Sequence, residues 1–235
     1  MWRITVLPAY AAGTVRRTAE ERAVDLLLEL IALDSAAESP PVHLGATVFQ
    51  KILFWSKMQL HELSLALPRL SYRRHHYGPY SQELADDLKL LRELGHLDRA
   101  TFRISPRAAE IVRHWTRLLE PRNREAFATV RKVAQDLAPL TADEVKARTY
   151  DLPSQRVGAH SKYGTLAGIP KGVYLLLRRA RPLRSFEISP ALNVDLALEL
   201  SMNADVAARL KTPERGPAFR SVDEMSAALE REPTS

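Results

Sequence analysis

From Leu44 to about Leu65 the chain leaves almost no polar face. Val48, Phe49, Ile52, Leu53, Phe54, Trp55, Met58, Leu60 and Leu63 spread around every side of a 3.6-residue repeat. A helix that is apolar all round must be enclosed by its neighbours, so this segment is expected at the centre of a mostly helical core. The neighbours are legible on both sides. Thr18-x-x-Glu21 forms a capping box ahead of Ala23, Leu26, Leu27, Leu30 and Ile31, which predicts a helix from about Thr18 to Leu33. Ser81 is an N-cap for a helix striped by Leu84, Leu88, Leu91 and Leu94 and stopped at Gly95. Between them, Pro68, the basic run Arg69 to His76 and the turn-forming Tyr77-Gly78-Pro79-Tyr80 read as a connector.

Beyond Gly95, the short polar stretch from His96 to Ser105 carries Leu97, Phe102 and Ile104 and reads as a small hairpin or wing. Two helices are expected next, from Pro106 to about Leu119 and from Asn123 to about Leu137, separated at Pro121. Thr141-x-x-Glu144 caps a further short helix. A loop rich in glycine and proline then marks the best internal boundary, giving a helical, winged-helix-like domain over 1–150, a linker or loop over 151–171, and a small α+β partner-binding region over 172–235. Within that last region two strands are expected around Arg181-Pro182, then a helix from Pro190 to about Ser201 and two shorter helices to the end. The fold class is therefore mainly α, with a small β element and a helical C-terminal region.

Charge and residue usage narrow the function classes. An excess of 34 Lys+Arg over 28 Asp+Glu permits a polyanionic partner. The absence of cysteine removes disulfides, thiolate zinc sites and thiol nucleophiles, and a cytoplasmic location is the expectation. No apolar run reaches the length of a bilayer-spanning helix, so no membrane partner is expected. The opening run is interrupted by Pro8 and reads as a strand or loose arm rather than a signal peptide. No motif for acyl transfer, phosphate cradling, zinc hydrolysis or dinucleotide binding is present. The expectation is a protein that is not an enzyme, with no catalytic residues, metal or cofactor. His75-His76 lacks a third ligand at suitable spacing.

Helix, turn, leucine-striped helix, wing and helix is the order of a winged helix-turn-helix, and it also serves as a protein-docking scaffold. For nucleic acid, Arg69, Arg73, Arg74 and His75 form the candidate phosphate-contacting group. Against deep insertion of the following helix stand Glu83, Asp86 and Asp87, expected on its exposed first turns. For a protein partner, the candidates are Tyr77 and Tyr80 at the turn, Leu198 on the helix from Pro190, and Phe219, Val222 and Met225 near the end. The tyrosines have an alternative role, packing on the core helix to anchor the connector.

The residues Phe49-Gln50-Lys51, followed by Tyr77-Gly78-Pro79 and a helix closing on Leu94-Gly95-His96-Leu97, resemble the Panacea or SocA-like antitoxin group and its YwgA-like relatives. The resemblance spans about residues 49–98, and the Tyr80-Ser81 that follows the proline is closer to the YwgA-like branch. The tail from Asp195 to Leu229 also resembles segments of RelB-like antitoxins, which wrap a toxin. Together these resemblances imply an antitoxin-like or regulatory protein, with a winged-helix-like centre and a partner-binding remainder: the first expectation is a module that neutralises a protein toxin encoded nearby, a role compatible with repressing its own operon through operator DNA. The alternative is a winged-helix transcriptional regulator without a toxin. Homo-oligomerisation is left open.

Overall fold

The computed structural model describes residues 4–7, 17–38, 44–98, 100–156, 164–177 and 184–202. Six helices lie among them: α1 (Ala19–Ala37), α2 (Ala46–Glu62), α3 (Gln82–Glu93), α4 (Pro106–Leu137), α5 (Ala142–Tyr150) and α6 (Pro190–Ser201). The protein is mainly helical, as its sequence predicts. Most of the caps read from sequence form. Thr18 and Glu21 bond reciprocally ahead of α1, and Thr141 and Glu144 do so ahead of α5. Ser81, Ser105 and Ser189 each accept from the third residue of the helix they precede. Gly95, at φ +74°, closes α3. The His96 amide then reaches the Leu91 carbonyl at 2.8 Å and the Gly95 amide reaches Arg92 at 3.2 Å, the paired bonds of a Schellman end.

Helix α2 is largely enclosed, with Phe49, Ile52, Leu53 and Phe54 sealed from solvent, but the helix buried without a break is α1, from Ala23 to Leu33, whose packing on both α4 and α6 the sequence pattern did not announce. Helix α2 is covered by α1, α4 and α5, and α6 lies on α1. Burying such side chains contributes about 2 kcal/mol each.

The β structure differs from the sequence expectation. The connector before α3 is a hairpin of two strands, β2 (Tyr72–His75) and β3 (Gly78–Tyr80). It belongs to a five-stranded sheet of order β3-β2-β5-β1-β4, completed by β1 (Ile4–Leu7), β4 (Ser154–Arg156) and β5 (Tyr174–Leu177). All neighbours are antiparallel except β1 and β4. Pairing between Tyr72 and Leu175 joins segments a hundred residues apart, which local patterning cannot announce. Segment 184–189, expected as a strand, is irregular and keeps one bridge, from Arg184 to Leu65. The expected wing after Gly95 reduces to one bridge between Leu97 and Ile104. Described residues on both sides of 151–171 share the sheet, and Leu152, Leu166, Ile169, Leu175, Leu196 and Leu200 share the core.

The two helices predicted around Pro121 are present as the two halves of α4, which meet at a kink where Asn123 departs from helical geometry. Asn123 leaves helical geometry at φ −121°, two residues after Pro121, whose ring nitrogen has no proton to give to the helical ladder. The Asn123 side chain donates to the Leu119 carbonyl at 3.1 Å and to the Glu187 carbonyl at 2.8 Å, while accepting from the Glu187 amide at 2.8 Å. The kink therefore fixes the chain that leads into α6.

Candidate functional site

The β2–β3 hairpin combines cations, aromatic rings and an unusually determined backbone. Alternation along β2 sends Tyr72 and Arg74 inward and Arg73 and His75 outward. Tyr72 meets Phe54 edge-on at 5.1 Å in the core. On the outer face Arg73 lies opposite Tyr80 in the strand register, with its guanidinium 5.6 Å from the ring centroid. His75 is 5.4 Å from the same ring and 5.2 Å from His76. Tyr77 stands at the tip, 58% exposed. Two cations from distant segments complete the surface: Lys171 Nζ is 2.9 Å from His76 Nδ1, and Lys146 lies 5.7 Å from the centroid of Tyr77.

The underside explains why this turn is held so firmly. Gln50 donates to the Ser81 carbonyl and accepts from the Ser81 amide, both at 2.9 Å. Lys51 donates to the Pro79 carbonyl at 3.0 Å. Gly78 adopts φ +95°, and a Cβ there would sit 3.1 Å from Lys51 Cε. The two separated halves of the sequence pattern, Gln50-Lys51 and Tyr77-Gly78-Pro79, are thus in direct contact. Arg74 lies over the Tyr150 ring at 4.6 Å, and the Tyr150 hydroxyl donates to the His76 carbonyl at 2.7 Å.

Electrostatically the patch is one-sided. Partial desolvation pushes the His75 pKa down, and the positive charges of His76, Arg73, Lys51 and Lys171 add to the effect. Burial, with the Arg74 charge second, lowers the Lys51 pKa to about 8. Among the described residues, Arg73, Arg74, Lys146 and Lys171 join none of the carboxylate ion pairs. Such a surface attracts a polyanion, and its exposed rings can stack on bases.

The sequence candidates separate accordingly. Arg73 and His75 meet on the outer face together with Tyr80, and Tyr77 is beside them. Arg74 is only 9% exposed and supports the hairpin from beneath. Arg69 belongs elsewhere: its guanidinium pairs with Glu21, and its amide donates to Asp25 at 2.9 Å. That contact is the edge of a buried charge cluster. Arg17 reaches Asp87 at 2.7 Å and Asp25 at 3.1 Å, and Arg22 reaches Asp87 at 2.7 Å. Asp87, expected on the exposed face of α3, is fully buried because it lies beside the Leu84 and Leu88 stripe facing α1. Glu83 is half-buried, leaving Asp86 as the exposed acid of the first two turns. Nearby Glu29 is fully buried, and burial, followed by the charges of Asp87 and Asp25, raises its pKa strongly, so that its protonated form can donate to Asp87.

Leu198 is 60% exposed on α6, and Val194 one turn earlier is 46% exposed, while Leu196 and Leu200 on the other side enter the core. Phe219, Val222 and Met225 lie outside the described residues. Gln50, Lys51, Lys146, Tyr150 and Lys171 were not among the sequence candidates. Only Gln50-Lys51 carried a signal, as a polar pair inside an apolar helix that had to find buried partners.

Among the described residues no group of His, Asp and Glu side chains is arranged to hold a metal ion, and no helix is long and apolar enough to cross a membrane. No family model, curated protein or solved structure matches the chain.

Proposed function

We propose that the chain is an antitoxin-like binding protein, not an enzyme, which contacts operator DNA through the outer face of its β2–β3 hairpin. The observation that carries this reading is the cluster of Arg73, His75, His76 and Lys171 around Tyr77 and Tyr80, with cations as the charges that perturb His75. In this reading the winged-helix-like order of α2, hairpin, α3 and α4 is used unconventionally. Helix α3 exposes Asp86 and Glu93 against Lys89 and is poorly suited to the major groove, so the hairpin makes the phosphate contacts. The test is fluorescence anisotropy with a duplex taken from upstream of the chain's own gene and a scrambled duplex of equal length. Arg73→Ala with Lys171→Ala should weaken binding to both, and an unchanged affinity would refute the assignment.

A second contact accompanies it in the antitoxin reading. The outward Val194 and Leu198 of α6 supply an apolar edge for a protein toxin encoded nearby. Co-purification with the neighbouring gene's product, compared between the natural chain and Leu198→Asp, tests this contact. Retained capture by Leu198→Asp would exclude α6, and absence of capture by the natural chain would favour the transcriptional regulator without a toxin.

A further inference from the structure

A second cationic site lies on α4, away from the hairpin. Arg113 and Arg117, one turn apart, precede the kink at Asn123, and Arg124 and Arg131, two turns apart, follow it. They border a groove of about 820 Å³ between α4 and the C-terminal half of α1. Arg131 pairs with Glu120 at 2.9 Å. Among the described residues Arg113, Arg117 and Arg124 have no carboxylate within ion-pair distance, and all three are exposed.

Thr116, on the same wall, supplies an independent indication. It is 7% exposed, and its hydroxyl is buried without any hydrogen-bond partner. A buried helical threonine ordinarily satisfies its hydroxyl on the carbonyl four residues earlier, as Thr149 does with Val145 at 2.7 Å. Thr116 makes no such bond, so its hydroxyl is left unsatisfied beside the groove, and a rotation about χ1 would turn it toward a bound group. The opposite wall offers Asp34 and Glu38, which can accept from hydroxyl or amino donors. The volume falls within the range of small-molecule sites.

We propose that this groove binds a small phosphorylated ligand of about mononucleotide size, its phosphate held by Arg113, Arg117 and Arg124 with Thr116, and its hydroxyl or amino groups directed to Asp34 and Glu38. Planar guanidiniums suit phosphate because they donate two parallel bonds to its oxygens. The mixed lining separates this site from the hairpin, where cations and aromatic rings suit an extended polyanion.

The experiment is isothermal titration of the full chain with pyrophosphate, with AMP, and with adenosine as the ligand lacking phosphate. Pyrophosphate and AMP should each saturate one site, and adenosine should give no measurable binding. Arg117→Gln with Arg124→Gln, which breaks no internal ion pair, should weaken AMP at least tenfold. Thr116→Val should weaken it several-fold without lowering the melting temperature, since no internal bond is lost. The proposal is overturned if neither phosphate compound saturates, if the arginine variant binds as the natural chain does, or if binding disappears with Arg73→Ala and Lys171→Ala instead.

Discussion

Gly78→Ala places a Cβ in tight contact with the Lys51 side chain, on a backbone that favours glycine. The backbone at φ +95° costs an L residue about 1–2 kcal/mol relative to glycine. The new atom would also lie 3.1 Å from Lys51 Cε and 3.7 Å from Nζ. Lys51 is not free to swing aside, because its ammonium is buried and bonded to the Pro79 carbonyl at 3.0 Å. Displacing it weakens a charged hydrogen bond that contributes about 1.5–3 kcal/mol. The combined loss is about 2–4 kcal/mol, which at a slope of roughly 2 kcal/mol/M moves the urea midpoint down by about 1–2 M. Equilibrium urea unfolding measures this directly. Lys51→Ala removes both the Cε that the new atom meets and the ammonium that anchors it, so Gly78→Ala should cost less in that background, and the difference isolates the contact. A midpoint shifted by less than about 0.2 M in the natural background would refute the reasoning.

Three further outcomes are expected. Polyanion binding should strengthen as pH falls, because desolvation, with the cationic neighbours second, depresses the free His75 pKa and a bound anion restores it; His75→Gln should flatten the pH profile of affinity measured by anisotropy. Folding holds the Glu29 proton more tightly than the unfolded chain does, so stability should fall as pH rises from the ordinary carboxylate range toward its raised pKa. Glu29→Gln should reduce that fall in urea titrations across pH. Leu198→Asp should leave the melting temperature within about 2 °C while weakening toxin capture at least tenfold, as scanning calorimetry and titration would show.

What the sequence revealed follows from the range of the interactions. Caps, leucine stripes and the enclosed α2 are local patterns, and Thr18, Ser81 and Ser189 act where their spacing places them. Pro121 marked the break that the structure shows as a kink at Asn123, but the bonds of Asn123 to Leu119 and to Glu187, the latter 64 residues away, had no local signal. The strand character of Tyr72 to Tyr80 was hidden because a basic run and a turn-forming glycine and proline resemble a connector until β5 pairs alongside. Arg69, Arg73 and Arg74 looked equivalent in sequence. Strand alternation turned Arg74 inward, and the buried acids drew Arg69 away. Lys146 and Lys171 reached the same surface only through tertiary packing, so no local spacing could have named them.

The dependence of DNA affinity on salt tests the hairpin assignment most directly. Each phosphate contact contributes close to one unit to the slope of log affinity against log salt concentration. Replacing Arg73 and Lys171 together by Ala should therefore flatten the slope by about two units, whereas Arg69→Ala, which removes a guanidinium paired with Glu21, should leave it unchanged. A slope unaffected by the hairpin pair, or one flattened by Arg69→Ala instead, would contradict the account.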